Sequence, residues 1–466
     1  MWKKKVRMTR LRFTLPLCLI LLSSPCLAEG PRKSIPGSPD DPSPQGRQDA
    51  VPVSLILPVD ETARSELTQL LKAAMARNPE IRSRQARIGQ AQGRQLQAGL
   101  HPNPSIGLEV ETELDAAGTA DRGFTAGYSH VFETAGKRGR RLAVAEVEVK
   151  ISEDELAETR RVIAGQLRTL FLQILLLKRD VSTRQDLLRI ATDFADLIQA
   201  QVQEGEVPAL TLDQAKAEAE RIQADLGLLV SQEEGLLLQL RTLAGLDPTD
   251  TVVVRGELEP HDIGPPLEEL SRRALAARPD LKAARAEVDR VSAQADLLKA
   301  QAVPNIVGSA GYSYSRSAFD LFGLTADGRP APIRELSHGI SVGVSLELPV
   351  RDRNQGNLAA AAAEGRAQRF HIRSLESSIR QEVAVAYQRY ASSYHSLAVL
   401  QTEVLDRSRM ALEALQKAYE LGEIAFNDVL AEQRRLADLQ GAYNSVLQAY
   451  ATAAADLAQA VAVPIP

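Results

Sequence analysis

Two periodicities alternate along the chain, and the alternation happens twice. In Ser105 to Leu114, Ile106, Leu108, Val110, Thr112 and Leu114 fall on one side, with Ser105, Gly107, Glu109, Glu111 and Glu113 on the other. A period of two with that contrast predicts a strand lying between an apolar medium and water. A second segment places Phe124, Ala126, Tyr128 and Phe132 opposite Thr125, Gly127 and Ser129, and His130, which interrupts the apolar face, is assigned near an interface. Ile306 to Ser315 alternates more weakly because Gly308 and Ala310 dilute its apolar side before Tyr312 and Tyr314. Ile340, Val342, Val344, Leu346 and Leu348 against Ser341, Gly343, Ser345 and Glu347 form the clearest case.

Between these segments the period is helical. From about Arg140 to Gln201 there is no proline and one glycine, Gly165; from about Leu358 to Leu421 there is again no proline and one glycine, Gly365. Helices of about 60 residues would be about 90 Å long, and helices of that length need a partner along most of their course. Each is followed by a turn and a second helix, about Leu212 to Ala244 and Asn427 to Val461. Their apolar positions, such as Leu226, Leu228, Leu229, Leu237, Leu430, Ala437, Leu447 and Ala454, mix leucine knobs with alanines that permit close approach.

The two passes are copies of one unit about 200 residues apart. Leu70 to Ile81 returns as Leu270 to Leu281, and Pro104 and Ile106 return as Pro304 and Ile306. The predicted organisation is a leader at 1–28, an extended arm at 29–60, and a first repeat at 61–244 with a hairpin near 105–132 and a helical turn near 203–212. A connection at 245–266 leads to a second repeat at 267–461, with a hairpin near 305–348 and a turn near 420–427, and a tail at 462–466 follows.

Four strands cannot close a barrel, and an open sheet in lipid leaves backbone groups unpaired at several kcal/mol each, so the missing strands must come from other copies. Strands of about 9 to 11 residues suit a tilted transmembrane barrel, and three copies would supply twelve. A soluble sandwich or an exported coiled-coil scaffold or adaptor is the competing reading. It accounts for the helices but not for two-faced segments at matching points of the repeat.

Composition adds an address. Lys3, Lys4, Lys5, Arg7, Arg10 and Arg12 precede the apolar run Phe13 to Leu22, and Ala28 offers a cleavage site before Glu29. Cys26 could instead be a lipidated first residue, although Pro25 and Ala28 favour ordinary cleavage. The two cysteines, Cys18 and Cys26, both lie in the leader, which excludes disulfide and thiolate chemistry from the processed chain. A formal charge of -5 over 466 residues argues against a nucleic-acid partner. The six histidines are isolated, so no metal centre or other cofactor site is expected, and no catalytic motif stands out.

At this point the residues resemble the outer-membrane efflux protein family, the exit ducts of tripartite pumps and type I secretion. The signals are Ala76 to Ile81 with its copy Ala276 to Leu281, Leu346 to Gly356, Gly136-Lys137-Arg138-Gly139, and Tyr419 to Ile424. The glycine-and-basic turns look most like the heavy-metal (cobalt, zinc, cadmium) resistance subgroup. The resemblance implies mixed α and transmembrane β structure: a homotrimer with a 12-stranded outer-membrane β-barrel, four strands per chain, continuous with a periplasmic α-helical barrel. It implies a non-enzymatic duct in outer-membrane lipid that receives substrate from an inner-membrane transporter of the RND type through a periplasmic adaptor. The cargo would be divalent metal cations, with drug efflux or type I secretion as the alternative.

On this reading Ile106, Leu108, Val110, Phe124, Tyr128, Val342, Val344 and Leu346 face lipid, while Glu109, Glu111, Glu113 and Glu347 line the lumen. Gly205, Pro208 and Gly422 form the periplasmic hairpin turns, where glycine suits a helix C-terminus. Asp428 matches a family position at the aperture, with Glu423 and Asp213 nearby. The family's next acidic position, one helical turn on, is Ala431 here.

Overall fold

The computed structural model describes residues 57–114, 120–262, 265–400 and 403–464. The leader, Cys26 and most of the arm lie outside them. Nine helices and four strands are described, in the order α1 (Glu61–Arg77), α2 (Pro79–Ala98), β1 (Ser105–Leu114), β2 (Ala120–Phe132), α3 (Lys137–Glu204), α4 (Ala209–Ala244), α5 (Leu267–Ala277), α6 (Pro279–Gln301), β3 (Ile306–Leu324), β4 (Pro330–Leu346), α7 (Gln355–Leu400), α8 (Glu403–Glu420) and α9 (Phe426–Ala460). The order repeats itself, with α3 and α4 answered by α7, α8 and α9. Among the described residues no helix is long and apolar enough to cross a membrane.

The helix ends follow local chemistry. In both repeats the first helix stops at an X-Pro corner, because proline pushes the residue before it out of the helical region. Asn78 and Arg278 accordingly share ψ values of 126° and 125°. The corners are satisfied differently. Asn78 Oδ1 accepts from the Glu80 and Ile81 N–H groups, while its Nδ2 donates to the Leu243 carbonyl at 2.8 Å. Buried Arg278 instead pairs with Asp280 and Glu382. Gly245, at φ +69°, ends α4 directly against the first corner.

The 68-residue α3 spans about 100 Å at 1.5 Å per residue. In its lower part the buried positions Leu187, Ala191, Phe194 and Ile198 recur at steps of four, three and four. Along α9, Phe426, Val429, Gln433, Leu436 and Gln440 do the same, and Leu447, Tyr450, Ala454 and Leu457 resume the pattern above. This 3.5-residue seam is the one that favours left-handed supercoiling. Along it α3 packs against both α4 and α9, so the first repeat is bonded to the second.

The core has an upper part, where the short helices meet the long ones, and a lower part beside the hairpin turns. In the upper part Tyr390 and Tyr450 both donate to the His261 carbonyl, at 2.6 and 2.9 Å, and the Tyr450 oxygen accepts from the His261 N–H. The connection between the repeats is thereby pinned to α7 and α9. The last residues of the predicted arm are also built in: Leu57 and Val59 are buried, and Val59 pairs with Leu258 of the connection.

The strands form one antiparallel meander, β1-β2-β3-β4. β3 and β4 run to 19 and 17 residues, beyond the 9 to 11 expected. A register shift between Ala318 and Phe322 breaks the alternation there, so the sequence pattern fades while the pairing continues to the turn at Thr325 to Arg329.

Candidate functional site: a two-faced sheet and two hairpin turns

The register turns the alternating segments into rows across all four strands. Ile106, Tyr128, Ala310 and Val342 share one row, Leu108, Ala126, Tyr312 and Ile340 the next, and Val110, Phe124, Tyr314 and His338 the one beyond. Phe132, Ile306 and Leu346 close the series at the helix end, after the row of His130, Gly308 and Val344. From Phe132 to Phe124 is eight residue steps, about 27 Å along the strand, or roughly 21 Å once tilted by ~40°. The opposite face carries Gly107, Gly127, Gly311 and Ser341 in one row, Glu109, Thr125, Ser313 and Gly339 in another, and Glu111, Gly123, Ser315 and Ser337 in a third.

Neither face is covered. Ile106 is 78% exposed, Val342 81% and Ile340 86%, and Glu109 and Glu111 are exposed on the other side. β1 and β4 also end the sheet with their outer edges unpaired among the described residues. Burying one Val, Leu or Ile is worth about 1.5–3 kcal/mol, so such rows are not left in water. All eight residues assigned to lipid lie at positions of one parity, and Glu109 and Glu111 at the other. Position 113 has that second parity, opposite Asp121. Glu347, read as the last polar position of the fourth segment, follows the final residue of β4 and borders a cavity of about 900 Å³ with Lys137, Asn305 and Arg351.

That cavity marks where sheet becomes helix. Lys137, the first residue of α3, is buried there, and its Nζ donates to the Val303 carbonyl and Asn305 Oδ1, both at 2.5 Å, while Thr134 Oγ1 donates to the Pro304 carbonyl. Burial pushes the Lys137 pKa below the ordinary lysine value. Arg138 donates to the Gly99 carbonyl, and Arg141 pairs with Glu133. The Gly136 to Gly139 motif therefore joins the repeats at the root of the sheet, a role visible only once the partners are in place.

The two hairpin turns share one hydrogen-bond pattern. Gly205 and Gly422 have φ of +82° and +74°. Glu206 and Glu423 N–H groups reach back to the Gln201 and Ala418 carbonyls, both at 2.9 Å, as in a Schellman ending. Pro208 then sets the extended residue before α4. Asp428 is exposed, and its carboxylate accepts from the Ala425 N–H at 3.2 Å, closing the first turn of α9. Asp213 and Glu423 are exposed as well.

Sequence reasoning missed what holds the hairpins together. Phe194 of α3 stacks on Phe426 with ring centroids 5.9 Å apart, and Tyr419 lies edge-on to Phe194 at 5.3 Å. Nearby, buried Glu218 of α4 takes Arg221 at 2.6 Å and Arg434 of α9 at 3.1 Å. Burial alone would raise the Glu218 pKa, but the two guanidinium groups outweigh it and hold the carboxylate below its usual range. Arg435 pairs with Glu432, so neither arginine neutralises Asp428 within the chain. Among the described residues no group of three or more His, Cys, Asp or Glu side chains could hold a metal ion.

Comparison with known proteins matches the same two repeats. The chain is 25% identical over 394 residues to the cobalt-zinc-cadmium resistance protein CzcC of Cupriavidus metallidurans, covering 84% of this chain and 88% of the relative. It is also 25% identical over 406 residues to the pyoverdine export outer membrane protein OpmQ of Pseudomonas putida, covering 81% and 82%. Its fold is similar to that of the solved outer-membrane channel OprN, with a TM-score of 0.70 at 17% identity over 86% of this chain and 90% of that one. The profile described as "Outer membrane efflux protein" matches residues 70–246 and 270–463, one span for each repeat. With both repeats matched, the chain belongs to the outer membrane efflux protein family, and it is a passive outer-membrane duct with a periplasmic helical region, not an enzyme.

Proposed function

We propose that three copies of this chain close a 12-stranded barrel and a helical tunnel beneath it, forming the exit duct of a tripartite pump. The observation that carries this is the uncovered, two-faced sheet with free outer edges on β1 and β4. Pairing β4 of one copy with β1 of the next satisfies both edges, and lipid covers the apolar rows. The internal duplication extends the argument to the helices. Within the chain α3 packs on α9, so the equivalent contact between copies is α7 and α8 against α4 of the neighbour. Leu228 and Leu238 on α4, and Val385, Val399 and Met410 on α7 and α8, are exposed and available for it.

The Glu109 and Glu111 rows then face the water-filled interior and make it cation-friendly, while Gly205, Gly422, Asp213, Glu423 and Asp428 ring the periplasmic end. A periplasmic adaptor and an inner-membrane RND-type transporter deliver the cargo. Similarity to a cobalt-zinc-cadmium resistance protein supports divalent metal ions, and similarity to a pyoverdine exporter keeps small organic cargo as the second reading. Cross-linking of detergent-extracted protein should give trimers that conduct in planar bilayers, and a conducting monomer or dimer would overturn the assembly. Deletion should lower tolerance to zinc, cobalt or cadmium more than to hydrophobic antibiotics; the reverse ranking would favour the organic cargo.

A further inference from the structure

Just beyond the apolar rows, on the same face of the sheet, the register brings arginines together. Arg122 of β2 stands directly opposite Arg316 of β3, one step outward from the Phe124 and Tyr314 row. Arg316 pairs in turn with Leu336, which puts Arg334 on the diagonal, about 7–8 Å away. All three side chains are exposed, and among the described residues none makes an ion pair. The nearby acids Glu109, Glu111 and Glu335 occupy the other parity, across the sheet. Like charges placed directly opposite each other cost a strand pair stability, and among the residues whose side chains are described no carboxylate on this face offsets it.

The position of the cluster identifies its counter-charge. The helices leave the sheet at the Phe132 end, and the helical region is periplasmic, so the Arg122 end points outward. There, continuous with the lipid-facing rows, a side chain meets the headgroup layer of the outer leaflet. The anion of that layer is the phosphorylated saccharide of its glycolipid. Guanidinium groups take phosphate oxygens in pairs, and arginines at a lipid interface favour anionic headgroups. We infer that Arg122, Arg316 and Arg334 form a binding site for the phosphate groups of outer-leaflet glycolipid, fixing the depth of the sheet in the membrane. The inference rests on the proposed lipid-facing assignment of the apolar rows.

The test uses the full chain as its detergent-extracted assembly and bis-phosphorylated lipid A as the probe, with the same lipid stripped of phosphate and inorganic phosphate as comparators. Wild type should bind the phosphorylated lipid at least 10-fold more tightly than the stripped one. The pair Arg122→Gln and Arg316→Gln should remove most of that difference without altering assembly. The stripped-lipid comparison needs no variant, so poor folding of the double substitution leaves the test intact. Equal binding of the two lipids, or full competition by millimolar inorganic phosphate, would overturn the glycolipid site. The underlying face assignment is tested separately with Ile340→Trp: the chain's single tryptophan is Trp2, so after leader removal the new indole is alone. Its quenching by brominated acyl chains is expected. Absence of quenching sinks the face assignment, whereas quenching without phosphate discrimination sinks the arginine site alone.

Discussion

Placing an arginine at Val342 should block assembly, while placing one at Ser341 should not. Val342 lies in the central apolar row with Ile106, Tyr128 and Ala310, two rows from Phe132 at one limit and two from Phe124 at the other. A cationic side chain at the midplane of a barrel's lipid face costs about 2–4 kcal/mol, so the proposed trimer would lose about 6–12 kcal/mol. That is comparable to the whole stability of an ordinary domain. Ser341 points to the opposite face, in a row otherwise made of Gly107, Gly127 and Gly311. Those glycines leave room for the longer side chain, and water solvates its charge. The assay is the yield of heat-modifiable oligomer in washed outer membranes, read on semi-native gels for wild type, Val342→Arg and Ser341→Arg. Equal yields for the two variants, or loss confined to Ser341→Arg, would refute the face assignment and with it the barrel.

Gly245→Ala should destabilise the upper core by about 2–5 kcal/mol, combining a left-handed backbone penalty with overpacking, since its Cβ would stand 2.7 Å from the Arg77 carbonyl carbon. Gly89→Ala, with nothing within 4 Å of the added carbon, should instead raise the thermal midpoint slightly, and circular dichroism melts compare the two. Burial would raise the Asp280 pKa, but Arg278 and the Leu281 N–H outweigh it and hold it below the ordinary 3.8. A depressed carboxylate stabilises the fold above its unfolded pKa, and that contribution is lost as pH falls through the lower folded value. Wild-type melting temperature should therefore drop more steeply below about pH 4 than that of Asp280→Asn; parallel profiles would dismiss the linkage. Asp428→Asn keeps a residue able to accept from the Ala425 N–H and removes the charge, so stability should change by less than about 0.5 kcal/mol while single-channel cation preference falls. Unchanged selectivity would leave Asp428 as a helix cap.

The alternation at Ile340 to Leu346 and the glycines at 205 and 422 were legible because their physics is local: a period of two, and a backbone with positive φ. The outer half of β3 and β4 was not, because the irregularity between Ala318 and Phe322 shifts the register out of the pattern. The duplication was legible at Asn78-Pro79 and Arg278-Pro279, yet it concealed that one corner is closed by an amide and the other by a salt-bridged guanidinium. Lys137 with Asn305, Glu218 with Arg434, and Phe194 with Phe426 join residues far apart in the chain, and no periodicity encodes such meetings.

The tyrosine clasp on His261 also decides where leverage can act. Tyr450 anchors α9 to the connection between the repeats, and Phe426 begins the same helix 24 residues below, about 36 Å away at 1.5 Å per residue. With the upper end held, a swing of roughly 10° about that anchor carries the lower end through about 6 Å, wider than the helix pitch of about 5.4 Å. In the proposed trimer, three such arms moving together would narrow or widen the periplasmic end of the tunnel. On that reading the clasp would serve as a fulcrum, so that a small change in how Phe194, Tyr419 and Phe426 pack is read out as a large displacement at the periplasmic end.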